Sequence, residues 1–185
     1  MTIKRLCILV ALTTILFVQE ELLTVIPNVQ LTFLLVVVFG ATIGLRDGTI
    51  VILVHVLLDN LFMGTFNLYC MTPQFLGLFI TLLLARLCKN KNEIIQSIMG
   101  AVGALIYCWF YVLVNIWFLD SVFIEYFIAD IPFEIILVVS TVVSILFLYK
   151  PLVKLINRFL KENKKGEKEN EENRDEEGTT SDRTI

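Results

Sequence analysis

The stretch that decides the fold runs from Ile26 to Gly64 and reads IPNVQLTFLLVVVFGATIGLRDGTIVILVHVLLDNLFMG. It contains two apolar runs, Val29–Leu45 and Thr49–Met63, joined by the short polar segment Arg46-Asp47-Gly48. A helix rises about 1.5 Å per residue and the hydrocarbon core of a bilayer is roughly 30 Å thick, so the first run is long enough to cross a membrane. The tight polar turn then predicts an antiparallel return, which makes the two runs a transmembrane hairpin.

Polar side chains are not spread evenly along this hairpin. The ends far from Arg46 carry Asn28, Gln30, Asp59 and Asn60, whereas the ends near Arg46 are apolar. This difference between the two ends is the first indication of where a functional site lies.

The composition of the chain is typical of an integral membrane protein. Of its 185 residues, 57% are hydrophobic, whereas soluble domains contain nearer 45–50%. The four cysteines have no metal-binding or redox spacing and lie in or beside apolar segments, so we interpret them as small buried hydrophobic residues. The chain is therefore predicted to be an integral, all-α membrane protein.

Hydropathy along the chain predicts six membrane helices, near residues 3–20, 29–45, 49–63, 74–88, 94–119 and 132–149. The connection 120–132 between the last two is interpreted as an acidic, aromatic loop. With this count, the basic residues of the membrane body all fall on the side of the N-terminus: Lys4, Arg5, Arg46, Arg86, Lys89, Lys91, Lys150, Lys154 and Arg158. Because positive charges favour the cytoplasmic side, both termini are predicted to be cytoplasmic in a multi-pass protein of a bacterial cell membrane.

Two segments follow the membrane domain, which is predicted to span residues 1–149. Residues 150–161, KPLVKLINRFLK, place apolar side chains on one helical face and basic ones on the other, which predicts an amphipathic helix at the inner membrane surface. An extension of the last membrane helix into water is the alternative. Residues 162–185 are charged and contain no tryptophan or tyrosine, and they are predicted to be disordered.

The orientation places most polar groups of the membrane helices in their outer halves. Ionisable groups inside a membrane are costly unless they are paired or hydrated, so Asp59 and Glu134 are expected to face a shared cavity or the outer water layer. Together with nearby aromatic residues, they predict an outward-facing pocket for a planar, hydrogen-bonding solute. An interfacial aromatic belt with polar helix ends is the alternative. The candidate binding residues are Asn28, Gln30, Asp59, Asn60, Asn67, Tyr69, Gln74, Tyr107, Tyr111, Asn115 and Glu134.

His55, the single histidine, lies one helical turn before Asp59 and could share a proton with it. A packing role is the alternative, and one histidine with one carboxylate offers too few ligands for a metal site. The sequence contains none of the motifs G-x-x-x-x-G-K-[ST], H-E-x-x-H or G-x-S-x-G. We therefore expect no enzymatic activity, no cofactor and no catalytic residue in this chain.

Small residues at four-residue spacing allow helices to approach closely. Gly40 and Gly44 have this spacing in the second helix, and Gly100 and Ala104 have it in the fifth. Such pairs either pack inside the monomer or present a flat face to a partner, and the sequence leaves both possibilities open.

Six short helices with cytoplasmic termini and a polar outer pocket resemble the substrate-binding S component of energy-coupling factor (ECF) vitamin transporters. The resemblance covers residues 27–152 and is carried by PNVQLTFLLVVVFGATIGLRDGTIVILVHVLLDNLFMGTFN and FEIILVVSTVVSILFLYKPL. It implies capture of a water-soluble vitamin or related organic micronutrient. It also implies partners, namely a membrane scaffold subunit and two ATPase subunits, and no nucleic acid.

Members of that family often carry an A-x-x-x-A docking patch on the first helix. Here the matching positions are Ala11 and Ile15, so Gly40 and Gly44 are further candidates for the docking face. The chain also lacks the N-terminal histidine motif of the nickel and cobalt members, which favours an organic solute. Two other functions stay open: a structural membrane protein of the cell-envelope machinery, similar to MreD-like proteins, and a small proton-coupled carrier that uses His55 and Asp59.

Overall fold

The computed structural model describes the backbone of residues 3–26, 29–119 and 123–181, and side chains in 3–26, 29–117, 123–125 and 127–162. Within those ranges the chain is helical and has no strand, which confirms the predicted all-α class. The six helices there are α1 (Ile3–Leu23), α2 (Thr32–Thr42), α3 (Leu45–Phe62), α4 (Leu68–Leu87), α5 (Glu93–Leu119) and α6 (Phe123–Ser181).

Helix α2 lies at the centre of the bundle. Nine consecutive residues, Thr32–Gly40, are buried, so α2 has no exposed face over this length. It packs mainly against α4 and α6, with further contacts to α5, α3 and α1. An apolar helix that is buried on every side is the element around which the other helices are arranged.

The hairpin prediction is wrong in its boundaries. The break lies at Ile43 and Gly44, and residues 46–48 form the first turn of α3 instead of a polar turn. Gly44 makes the break with a φ of 87°, a conformation that glycine adopts without the steric cost of a side chain. Asp47 favours the start of α3 because its negative charge lies at the positive end of the helix dipole and because Arg5 binds it through two nitrogens, at 2.7 and 2.9 Å.

Four helices in the described part of the chain are long and apolar enough to cross a membrane: Ile3–Leu23, Leu68–Leu87, Glu93–Trp117 and Phe123–Glu162. Helix α2 has 11 residues and is therefore about 16 Å long, which is shorter than the hydrocarbon core. Helix α3 contains three charged residues, Arg46, Asp47 and Asp59. The fold is thus compatible with a multi-pass membrane protein, while the count of six spans and the location of the termini stay predictions.

Helices α4 and α6 both begin earlier than predicted. Helix α4 starts at Leu68 because Asn67 caps it, its Oδ1 accepting a 2.8 Å hydrogen bond from the Cys70 amide, and Pro73 lies inside the helix. Helix α6 starts at Phe123, and Pro132 lies inside it. The predicted starts were residues 74 and 132, whereas both helices begin earlier and accommodate an internal proline that lacks a backbone N–H.

Helix α6 continues without a break through Pro151 and through residues 150–161, and its backbone is helical to Ser181. The end of the predicted disordered tail, residues 182–185, lies outside the described residues. In segment 150–161, Lys154, Leu155 and Arg158 are exposed and Ile156 is buried.

Charged contacts define one end of the bundle, which we call the basic end. There Arg5 pairs with Asp47, Lys150 Nζ lies 2.6 Å from Glu93 Oε1, and the Arg86 guanidinium donates to Gly40 O at 3.5 Å. Helices α1 and α3 begin at this end, and α2 and α4 finish at it. The opposite end therefore holds the last turns of α1 and α3 and the first turns of α2 and α4.

Gly40 makes the close contact between α2 and α4. A Cβ at this position would lie 2.8 Å from Leu82 O and 3.0 Å from Ala85 Cβ, so a side chain would force backbone atoms apart. We expect Gly40→Leu to lower the free energy of unfolding by at least about 2 kcal/mol, measured by thermal or denaturant unfolding in detergent micelles. Ala11→Leu, on the exposed face of α1, is the control and should change stability by less than about 0.5 kcal/mol. Equal effects of the two substitutions would contradict the close α2–α4 contact.

Candidate functional site

A cavity of about 380 Å³ lies at the end of the bundle opposite the basic end. We call it the polar cavity. Its walls come from α1, the α1–α2 connection, α3, α4 and α5. Its lining residues are Glu20, Leu23, Thr24, Ile26, Val29, Gln30, Asp59, Asn60, Met63, Thr65, Cys70, Gln74, Tyr107 and Tyr111.

One wall is a chain of hydrogen bonds between α3 and α4. The Gln74 amide donates from Nε2 to Asp59 Oδ2 at 2.6 Å and accepts at Oε1 from Asn60 Nδ2 at 2.5 Å. Asn60 Nδ2 also donates to Val56 O at 2.9 Å, and Asn60 Oδ1 accepts from the Thr65 hydroxyl at 3.1 Å. Asn60 and Gln74 are buried, and each has both ends of its amide bonded, so this wall is held in one arrangement.

The opposite wall joins the last turn of α1 to the start of α2. Gln19 Oε1 accepts from the Leu31 amide at 2.9 Å, and Gln19 Nε2 donates to Thr32 Oγ1 at 2.8 Å. Thr32 Oγ1 lies 3.1 Å from both Glu20 Oε2 and Gln30 Oε1. A single glutamine side chain thus fixes the connection between α1 and α2, and it places Glu20 and Gln30 at the cavity.

His55 contacts Glu20. Its Nε2 lies 3.0 Å from Glu20 Oε2, an ion-pair distance at which the carboxylate is out of line for a hydrogen bond, and the imidazole is fully buried. Asp59, with which His55 could share a proton according to the sequence, instead accepts a hydrogen bond from Gln74. Among the described side chains, Glu20 is the acidic group within ion-pair distance of His55.

Aromatic side chains from α5 complete the cavity. The rings of Tyr107 and Tyr111 have centroids 5.1 Å apart, and Tyr107 also packs edge-on against Phe33 of α2 at 5.4 Å. The Tyr111 hydroxyl donates to Cys70 O at 3.2 Å. Because Gly77 lacks a Cβ, the backbone of α4 approaches Tyr107 closely. This surface offers ring faces beside the amides and carboxylates of the other walls.

The structure brings together six of the predicted binding residues, namely Gln30, Asp59, Asn60, Gln74, Tyr107 and Tyr111. Asn67 caps α4 instead, and Tyr69, Asn115 and Glu134 are not among the residues that line the cavity. Asn28 lies outside the described residues.

Three polar or sulfur-containing lining residues were not predicted: Glu20 in α1, Thr24 in the α1–α2 connection and Cys70 in α4. The signal for Glu20 was present, since an acidic residue that ends an apolar helix is unusual. Glu20 ends the first predicted helix, 3–20, at its outer side, and its neighbours in space are not visible in the sequence.

Glu134 belongs to a second cluster, between α5 and α6. Ligand atoms of Cys108, Asp130 and Glu134 all lie within 4.8 Å of one another, and Glu134 Oε1 is buried with no hydrogen-bond partner. A thiolate and two carboxylates could coordinate a divalent cation. Among the described residues this is the group of side chains that could hold a metal ion, and it is separate from the polar cavity.

The docking candidates also differ in position. Ala11 is exposed on α1, whereas Gly40 and Gly44 are buried in the monomer, Gly40 against α4 and Gly44 close to the Arg86 guanidinium. Of the two possibilities left open by the sequence, the pair Gly40 and Gly44 therefore packs inside the monomer.

Comparisons with models of protein families, with curated proteins and with solved structures find no match to this chain. The class that the fold and the site define is an all-α protein with membrane-compatible helices and a ligand-sized polar cavity at one end.

The hydrogen-bonded wall makes a prediction about stability. Replacing Gln74 by Leu would leave the buried Asn60 and the half-buried Asp59 without their shared partner, so we expect Gln74→Leu to lower the free energy of unfolding by about 1–3 kcal/mol. Gln30→Leu makes the same change at a half-buried residue on the opposite wall and should cost less than about 1 kcal/mol. Denaturant unfolding in micelles measures both, and an equal cost would contradict the structural role of the wall.

Proposed function

We propose that this chain is the substrate-binding subunit of an ECF-type importer and captures a small, planar organic solute, such as a water-soluble vitamin or related micronutrient. The observation that carries the proposal is the polar cavity. Its volume of about 380 Å³ falls in the usual range for small-molecule sites, and it combines aromatic surface with a few fixed polar groups. The resemblance of residues 27–152 to ECF S components supports the same function.

Binding in this cavity uses groups that are already in place. The amides of Asn60 and Gln74 are held by their mutual bond, and the remaining capacity of the Asp59 carboxylate faces the solute. Tyr107 and Tyr111 supply ring faces for a planar solute. Preorganised groups lose little conformational entropy on binding, which favours high affinity.

The α1–α2 connection forms the rim of the cavity through Thr24, Ile26 and Val29. We propose that release of the bound solute into the cell requires the scaffold subunit and two ATPase subunits. The present chain then contributes binding without catalysis. Its docking face would include the exposed Ala11 side of α1.

Orientation follows from the two ends of the bundle. The basic end gathers the cations of the helical body and is proposed to lie in the cytoplasm, as the positive-inside rule favours. The polar cavity then opens to the exterior, as solute capture requires.

The other two functions fit these observations less well. A proton-coupled carrier using His55 and Asp59 would need the two side chains to exchange a proton, whereas His55 contacts Glu20 and Asp59 bonds Gln74. An MreD-like structural protein has no need of a preorganised, ligand-sized cavity.

Binding itself is the direct test of the proposed function. We expect the purified protein to retain a small organic molecule, detectable by mass spectrometry. Asn60→Ala should weaken its binding at least about tenfold, because two buried hydrogen bonds of the Asn60 side-chain amide are lost. Asn90→Ala makes the same change at an exposed residue of the α4–α5 connection, away from the polar cavity; it is the control and should bind like the unaltered protein. Finding no bound molecule, and none from a panel of added vitamins, would contradict the proposal.

Orientation can be tested by labelling single cysteines in a variant without the four native ones. Arg46 and Thr65 are both exposed and lie near opposite ends of α3. We expect a membrane-impermeant maleimide added to intact cells to label Thr65→Cys and to label Arg46→Cys only after the membrane is opened. The reverse pattern would place the cavity inside the cell and would rule out capture from the exterior.

A further inference from the structure

We infer that the solute of the polar cavity carries a positive charge, on a planar amidinium-like or heteroaromatic group, and that Asp59 is its counter-ion. This inference rests on the proposed binding function and specifies the chemical class of the ligand. It is drawn from the charges of the cavity and from the partners that each charge has.

The cavity lining is acidic. Glu20 and Asp59 contribute carboxylates, and the lining includes no lysine or arginine. The cations that the structure places in side-chain contacts lie elsewhere: Arg5, Arg86 and Lys150 are at the basic end, and Arg158 pairs with Glu162. A carboxylate-bearing or phosphate-bearing solute would therefore meet like charge in the cavity and no compensating side chain.

The two carboxylates are not equivalent. Glu20 has the imidazole of His55 at 3.0 Å and the Thr32 hydroxyl at 3.1 Å, so two groups of the protein already lie against its carboxylate. Asp59 has a neutral partner, the Gln74 amide at 2.6 Å, and no cation within ion-pair distance among the described side chains. Asp59 is thus the charge that a bound cation would neutralise.

Asp59 is also placed to act on a solute. It is half-buried at the cavity wall, where a carboxylate interacts more strongly with an opposite charge than it would in bulk water. Gln74 occupies one of its two oxygens, which leaves Oδ1 available for a donor on the ligand. The N–H groups of an amidinium, or of an amino-substituted heteroaromatic cation, match such an acceptor.

The aromatic wall favours the same ligand. Tyr107 and Tyr111 both line the cavity, and their rings, 5.1 Å apart at the centroids, present π-electron surface beside the carboxylates. A flat cation gains from ring faces through its charge, in addition to the contact area and the ring–ring attraction that a neutral ring also has. The charge and the shape of the cavity therefore select for one ligand class.

Benzamidine, benzamide and benzoate test this inference, because they share one ring and differ in charge. With the full-length protein in lipid nanodiscs, ligand-observed NMR titrations should give benzamidine an affinity about 10- to 100-fold higher than that of benzamide, and no binding of benzoate. In Asp59→Asn, the affinities of benzamidine and benzamide should differ by less than about threefold, since the substitution removes the negative charge and keeps the shape of the side chain. Glu93→Gln, which removes a carboxylate at the basic end, is the matched control and should keep the preference for benzamidine.

The outcomes separate this inference from the proposed function. Equal or tighter binding of benzamide or benzoate, or a benzamidine preference that survives Asp59→Asn, would overturn the cationic ligand and leave solute capture standing. Failure of benzamidine to bind would also overturn it. Solute capture itself depends on the retained small molecule and on Asn60→Ala, whichever charge that molecule carries.

Discussion

The structure depends on the complete burial of α2. Nine consecutive residues of this short helix are covered on every side, so five other helices must supply apolar surface to it at once. The burial is possible because close approaches are available: the absence of a Cβ at Gly40 lets α4 contact the helix backbone, and Arg86 interacts with the last carbonyls. A helix about 16 Å long cannot by itself fill the thickness of the bundle. The space before its first turn is where the polar cavity lies, bordered by Gln30.

This arrangement explains why the site forms at one end of the bundle and the ion pairs form at the other. At the basic end, α1 with α3 and α5 with α6 are joined by charged side chains that approach within 2.7 Å. At the cavity end, α1 is joined to α2 and α3 to α4 by amides and a hydroxyl, which satisfy one another without closing the space between them. An open cavity needs hydrogen-bonded walls because unpaired polar groups in such a place would be costly. The hydrogen bonds that join the helices at this end therefore also form the walls of the polar cavity.

Sequence patterns predicted the helical class and the polar end of the bundle because both follow from local composition. Asp59, Asn60 and Gln74 were identified as candidates since polar residues in apolar runs are rare, and all three line the cavity. Glu134 and Asn67 share that signal but have local or separate roles, as a buried cluster member and as a helix cap. Which polar residues meet depends on helix packing, and spacing along the chain does not specify it. The length of α2 was overestimated for a related reason: hydrophobicity continues through Ile43 and Leu45, whereas the positive φ of Gly44 ends the helix.

The early start of α4 links the fold to the site. Because Asn67 caps the helix at Leu68, Gln74 lies in its second turn and faces the last turn of α3, within reach of both Asp59 and Asn60. A helix that began at Gln74, the predicted start, would leave that side chain in a first turn, where the backbone N–H groups need partners. Because the helix begins at Leu68 and Asn67 caps it, both ends of the Gln74 side-chain amide are free to form the hydrogen bonds of the cavity wall. Gln74 holds one oxygen of Asp59, and no described cation lies within ion-pair distance of this carboxylate. In the proposed binding function, this charge sets the preference of the cavity among solutes.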